Sequence, residues 1–305
     1  MTVLVLSCPE DITADLVIDR LSTMGVPVLR FDPADFPGRV GLSTSYTKGT
    51  ITGSITHGRR TVDVADVRSI WIRRPGRPGG GATVQRGWTA HECDHALYGA
   101  LRAQPGIRWM NHPDAQRAAR YKAGQLCTAH AVGLSTPDLV ITTVPADAEA
   151  FATRSGPVVC KSISGRHPDD PPAALPTTLV PPGADFSAVA HAPTCLQRRV
   201  AKVADIRLTV VGDRLFCARS DTGHRVLDWR FEEGVEWRNV PVPESIGPKV
   251  RAFMAASGLA YGALDFVVDE AEGWHFLECN PAGQFGFIEL TTGQPVALAI
   301  AEWLT

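Results

Sequence analysis

Residues 273–290 read GWHFLECNPAGQFGFIEL. Trp274, Phe276 and Leu277 are strand-forming side chains headed for an apolar core. Glu278 and Asn280 then follow two residues apart, on one face of the strand, just before a Pro-Ala-Gly turn. A lone carboxylate buried in such a strand costs several kcal/mol, so that face meets either water or compensating charge.

Working backwards, YGALDFVVDEAE (261–272) makes the other half of a hairpin. One strand spans 263–268, a polar turn runs through Asp269–Gly273, and the second strand spans 274–280. A turn centred between Ala271 and Glu272 sets Asp265 opposite Glu278, so Asp265, Glu278 and Asn280 share a face. Two carboxylates and an amide oxygen are hard donors of the kind Mg²⁺ takes when phosphates fill its remaining positions. A polar sheet face washed by solvent accounts for the same residues, and the hairpin alone does not choose between the two.

Further upstream, Lys161 ends a strand in GPVVCKSISG (156–165) and is followed by small residues, a combination suited to covering phosphate with a cation and backbone N–H groups. Lys122 lies inside a helix expected around Arg117–Ala131; alone it is a solvated charge. LQRRVAKVADIR (196–207) passes from an apolar strand end into a short polar connector, which suits an adenine edge, with Asp205 in reach of a ribose. TVLVLSC, TADLVIDRLSTMG and VPVLRFD open the chain as β-α-β, the start of a small parallel sheet, without the G-x-G-x-x-G of a dinucleotide site. The Pro-rich 166–186 is an exposed loop, and 167–183 suits a lid. From residue 194 on, long alternating strands with Gly-Asp turns indicate an antiparallel sheet.

The 305 residues, 44% hydrophobic and 20% charged with formal net charge −2, carry no global attraction for nucleic acid or an anionic membrane. Seven scattered cysteines without a C-x-x-C pair read as free thiols in a reducing cytoplasm, and no apolar run is long enough to span a bilayer. HECDH (91–95) is a literal H-E-x-x-H, but Asp94 and the lack of a third ligand favour an amphipathic helix with Ala96, Leu97, Ala100 and Leu101 inward.

In this order, Lys122, Lys161, LQRRV, ADIRLTVVGD (204–213), LDWR (227–230) and LDFVV…FLECNPAGQF resemble the ATP-grasp ligases. More narrowly they resemble the RimK-type and graspetide (microviridin-type) synthetases. VLVLSCPEDITADLVIDRLSTMGVPVLRFDPADFP and SIWIRRP resemble the maturases of ribosomally made peptides. The likeness spans essentially the whole chain and implies an α/β protein of the ATP-grasp fold. Its parts would be an N-terminal Rossmann-like pre-ATP-grasp domain over 1–111, a central α+β subdomain over 112–195 and a C-terminal antiparallel-sheet subdomain over 196–305, with ATP between the last two.

By the same resemblance, Lys122 and Lys161 hold ATP phosphates, Gln197, Arg198, Arg199 and Val200 line the adenine, and Asp205 meets the ribose. Arg230 lies near the phosphates, and Asp265, Glu278 and Asn280 bind two Mg²⁺ ions. The family connector usually carries Glu where this chain has Arg198, which leaves a side-chain role there open. The implied reaction activates a carboxylate as an acyl phosphate for attack by a nucleophile. Arg207 is the expected grip on the carboxylate or acyl phosphate, because a planar guanidinium matches both; Arg219 is a second candidate, and a surface strand arginine is the alternative for each. Arg73 and Arg74 add positive charge that suits an acidic substrate, or are solvated turn residues. The implied partner is a precursor peptide with a leader and an acidic, Thr-rich core, whose Asp or Glu side chains are joined to Thr or Ser hydroxyls or Lys amines. A RimK-like ligase of free amino acids and a non-catalytic ATP-binding module are the other readings. A homodimer is compatible with the resemblance.

Overall fold

The computed structural model describes residues 1–79, 86–165 and 175–305. The expected lid therefore falls outside the described residues over 167–174, and within the remainder Thr178–Leu179 is a short strand paired with Val159 and Cys160. No helix among the described residues is long and apolar enough to cross a membrane.

Four parallel strands open the fold, in the order Val28–Phe31, Thr2–Ser7, Val67–Arg74, Arg108–Met110. Val3–Leu6 are buried on both faces, as a central parallel strand requires. Helix Ile12–Thr23 covers one face through Ala14, Val17 and Leu21. Helix Arg86–Arg102 covers the other through Cys93, Leu97 and Leu101; Ala96, expected inward, is exposed. A three-stranded antiparallel sheet, Val40–Thr47, Thr50–His57 and Arg60–Asp63, flanks this unit.

The second layer is a four-stranded antiparallel sheet ordered Thr178–Leu179, Val158–Lys161, Thr194–Arg198, Leu139–Thr142. The third is a five-stranded antiparallel sheet ordered Arg238–Asn239, Arg214–Ser220, Lys202–Val211, Tyr261–Asp269, Trp274–Asn280. Ala204, Ile206, Leu208 and Val210 alternate onto a core shared with Val250, Phe253 and Met254 of helix Gly247–Ala256. The intervening Asp205, Arg207 and Thr209 point the other way.

One core belongs to both ends of the chain. The last helix, Val296–Leu304, is apolar on nearly every side, and Val296, Ile300 and Leu304 pack with Val3, Val5 and Val17. Each such side chain contributes roughly 1.5–3 kcal/mol on burial. Val211, Tyr261 and Phe285 also join this N-terminal cluster.

The joint is completed by polar contacts on the turn after the hairpin. Four consecutive carbonyls each accept from a different side chain: Pro281 from Asn111 (2.8 Å), Ala282 from Arg73, Gly283 from the Tyr261 hydroxyl (2.7 Å) and Gln284 from Arg207 (2.9 Å). Buried Asn111 also donates to the Tyr261 carbonyl and accepts from the Ala260 and Tyr261 N–H groups, all at 2.8 Å. Its amide is saturated. Asn111→Ala leaves two buried N–H and two carbonyl groups to find new partners, at about 1–3 kcal/mol for each that fails. The expected result is a loss of at least about 2 kcal/mol, seen as a lower urea midpoint at unchanged slope.

Candidate functional site

The hairpin strands are Tyr261–Asp269 and Trp274–Asn280, and Asp265 pairs with Glu278. The pairing is reached differently from the sequence expectation. Val268 faces Trp274 and Phe266 faces Phe276, which centres the turn on Ala271. Leu277 is then an extra residue, a β-bulge, that restores Asp265 opposite Glu278. The bulge also settles the question raised by this strand. Phe276 and Cys279 lie in the core with Trp274 packed against it, while Leu277 and Glu278 turn to a pocket on the other face.

Lys122 opens a helix and does not lie in the middle of one. The expected helix is divided into Pro113–Ala118 and Lys122–Ala131, and Lys122 is the first residue of the second. One turn on, the Gln125 amide docks on the edge strand, donating to the Cys279 carbonyl (2.9 Å) and accepting from its N–H (2.7 Å). Residues 122 and 125 share a helix face, so this contact brings the Lys122 ammonium onto the Glu278 carboxylate, with which it pairs.

The pocket is lined by Lys122, Lys161, Asp205, Asp228, Arg230, Asp265 and Glu278, with Leu175, Leu227, Trp229 and Leu277 among its apolar walls. Every carboxylate lining it is ion-paired: Glu278 with Lys122, Asp228 with Arg230 (2.6 Å), Asp265 with Arg207 (2.7 Å) and Asp205 with Lys202. Lys161 is the cation left over, with no ion pair among the described residues. Burial lowers its ammonium below the ordinary lysine range, against the pull of Glu278. The two carboxylates at the hairpin move apart. Burial raises both, but at Glu278 Lys122, with Lys161 and Arg230 nearby, prevails and holds the group below its usual range. At Asp265 burial outweighs Arg207, Glu278 adds to it, and the group lies above its usual range.

This donor set fits Mg²⁺ and phosphate. One spare lysine would not neutralise a polyphosphate, so a divalent ion would be needed beside it, and Asp265 and Glu278 are carboxylates of the kind that would hold one. Asn280 is exposed, its Oδ1 accepting from the Ala282 N–H at 3.0 Å.

A second cavity adjoins the first, sharing Lys161, Thr177, Leu227 and Leu277. Gln197, Arg198, Arg199 and Val200 line it with Val159 and Val267, giving an apolar slot with a polar edge. The Arg198 and Arg199 N–H groups already donate to the Asp138 (2.9 Å) and Pro157 (2.8 Å) carbonyls, which leaves Val200 as the connector amide for a ligand. The Arg198 side chain is exposed, 3.8 Å from Asp138, and that of Arg199 donates to the His224 carbonyl. Asp205 accepts from Lys202 and Thr222, so it enters the pocket already occupied.

Three expected site residues are placed elsewhere. Arg219 pairs in register with Ile206, on the sheet face opposite Arg207, and is held by Asp221 (2.7 Å) and Glu272 (2.9 Å). Arg73 is not a surface charge: its side chain is 1% exposed, and it donates to the Ala282 carbonyl and the Gln284 side chain. Arg74 is exposed beside it, apart from the pocket. Lys202, Gln125 and Asp228 were not singled out in the sequence. Asp228 had a signal, since it precedes Arg230 in LDWR and caps the turn there by accepting from the Arg230 N–H.

Residues 2–117 match the family model of the MvdD pre-ATP grasp domain. No curated protein matches the chain. Among solved structures, the macrocyclase MdnC from Microcystis aeruginosa MRC, bound with precursor peptide MdnA, is 28% identical; the match has a TM-score of 0.88 and covers 100% of this chain and 99% of that one. A Chryseobacterium gregarium RiPP-associated ATP-grasp ligase, in complex with ADP and a leader and core peptide, is 23% identical with a TM-score of 0.88, covering 99% and 96%. A RimK domain ATP-grasp protein from Sphaerobacter thermophilus DSM 20745 is 17% identical with a TM-score of 0.61, covering 100% and 99%. The chain therefore has the ATP-grasp fold, and its residues 2–117 are similar to the MvdD pre-ATP grasp domain.

Proposed function

We propose that this chain is a Mg-ATP-dependent carboxylate ligase acting on a ribosomally made precursor peptide. It would activate Asp or Glu side chains as acyl phosphates and join them to Thr or Ser hydroxyls, or to Lys amines, in macrocyclic links. The observation that carries this is the pair of contiguous cavities: an apolar slot along Gln197–Val200 opening onto a pocket of Lys122, Lys161 and Arg230 around Asp265 and Glu278. Full-length similarity to MdnC supports the peptide substrate, and the lower TM-score to the RimK domain protein favours it over transfer of free amino acids.

In this reading Val159, Val267 and Leu277 enclose the adenine, with the Val200 N–H at its edge. Lys122 and Lys161 hold the phosphates, and Asp265 and Glu278 of the pocket, with Asn280 two residues further along the strand, would hold Mg²⁺, which offsets charge on the transferring phosphoryl group when bound. Lys122 and Arg207 would exchange their carboxylate partners for phosphate oxygens as the metal takes the carboxylates. Arg207, with the Trp229 and Phe287 rings about 6 Å away, presents its guanidinium to the carboxylate being activated. The chain positions and neutralises; it supplies no covalent intermediate of its own.

Incubation of enzyme, ATP, Mg²⁺ and an acidic, Thr-rich precursor peptide should remove one water per link by mass spectrometry. A gain of amino-acid mass instead would identify the RimK-like reaction. Glu278→Gln should cut turnover by a factor on the order of 100 or more, with circular dichroism unchanged; full activity would remove Glu278 from the metal site.

Phosphate binding should also depend on alkaline pH. Burial lowers the Lys161 ammonium below the ordinary lysine range, so its positive charge is lost as pH rises through that lowered value. Affinity for Mg-ADP, measured by calorimetry from about pH 7 to about pH 10, should weaken with pH. Lys161→Arg, whose charge does not titrate there, should flatten the slope. An equal slope in both proteins would exclude Lys161 as its source.

A further inference from the structure

We infer that Arg73 and Gln284 are positioning residues that hold Arg207 in place, tying the N-terminal domain to the reacting centre. The inference rests on the ligase reading for what Arg207 does, and on geometry alone for what holds it.

A continuous polar chain crosses the joint. The Ser7 hydroxyl donates to Asp11 (2.8 Å), and Asp11 lies 3.5 Å from the Arg73 guanidinium. Arg73 then donates both to the Ala282 carbonyl and to the Gln284 side-chain oxygen. The Thr13 hydroxyl donates to that same oxygen at 2.7 Å, so the Gln284 amide is gripped from two sides. The Gln284 backbone carbonyl in turn accepts from Arg207 at 2.9 Å, and Arg207 reaches Asp265 at 2.7 Å. The turn lies close over the guanidinium: a Cβ on Gly283 would come within 3.1 Å of Arg207 Nη2 and 2.4 Å of the Ala263 Cβ.

Stability does not account for this arrangement. Asp11 and Arg73 are each 1% exposed at the side chain. The Asp11 Oδ1 and Arg73 Nε atoms are buried with no hydrogen-bond partner among the described residues. A buried ion pair with loose ends contributes little relative to well-packed apolar side chains, and is better explained by the geometry it imposes. What it imposes here is the place of one carbonyl. Arg207 has two anchors, and in the ligase reading Asp265 is given up to Mg²⁺. The Gln284 carbonyl is the anchor that remains, and Arg73 and Thr13 hold it from the N-terminal side.

The test uses the full chain with Gln284→Leu, which removes the gripped oxygen at similar volume, and Gln284→Glu, which retains an acceptor for Arg73 and Thr13. The readouts are kcat and KM for peptide ligation, Mg-ADP affinity, melting temperature, and crystal structures with Mg-ADP. Gln284→Leu should lower kcat at least tenfold, keep Mg-ADP affinity within about twofold, and show the Arg207 guanidinium displaced from its wild-type position. Gln284→Glu should recover most of the rate and the position. The inference is overturned if Arg207 stays in place in Gln284→Leu with kcat within twofold. It is equally overturned if both variants lose melting temperature, nucleotide binding and turnover together. Absence of turnover in the wild-type chain would count against the ligase reading alone, and the displacement or retention of Arg207 in the crystals would still decide the positioning claim.

Discussion

A chain that leaves the end of a sheet must find partners for carbonyls the ladder no longer serves. At Pro281–Gln284 all four are taken by side chains, two from the N-terminal part of the chain (Asn111, Arg73) and two from the C-terminal sheet (Tyr261, Arg207). The turn is therefore a joint with donors on both sides. Asn280 immediately precedes it and Arg207 ends on it, so the geometry of the pocket is fixed by contacts that begin some 170–210 residues away. The shared apolar core beneath, where the last helix packs on the first helix, gives that joint a rigid base.

The pocket is built from compensated charge. Four ion pairs keep its carboxylates from standing alone in a half-buried space, while Lys161 remains in excess. Such pairs repay their desolvation poorly as stabilising elements. Their value in a ligand site is that they could be exchanged: a carboxylate that turned to a bound cation would free its lysine or arginine for phosphate, and the total burial of charge would change little. The opposed shifts at Glu278 and Asp265 follow from the same arrangement, because Glu278 has two lysines and an arginine near it whereas Asp265 relies chiefly on Arg207 against deeper burial.

Local pattern made much of this legible. The hairpin put Asp265 opposite Glu278, and the long alternating strands indicated the antiparallel sheet that carries them. What alternation does not show is an irregularity or a distant partner. The break before Lys122 falls in Ala119-Arg120-Tyr121, which contains no glycine or proline to announce it. Arg73 sits in WIRRPGRP, a segment that reads as a surface turn, and its burial depends on residues 282 and 284. Arg219 shows the same limit. Its sequence resembles that of a pocket strand, but register with Ile206 sends it to the other face.

The bulge at Leu277 shows how one irregularity serves several ends. In an unbroken strand Glu278 would share the core face with Phe276, and its carboxylate would be buried among Phe253, Phe266 and Met254 without a cation. The extra residue moves Glu278 to the pocket, returns Cys279 to the core, and leaves the Cys279 backbone on the sheet edge for Gln125. Leu277 itself becomes a wall common to both cavities. A single inserted residue thus separates apolar slot from charged pocket, aims the carboxylate, and leaves the edge open to the helix that carries Lys122. Removing Leu277 would undo all three at once, which is why the apolar residue beside the acid, and not the acid alone, belongs to the architecture of the site.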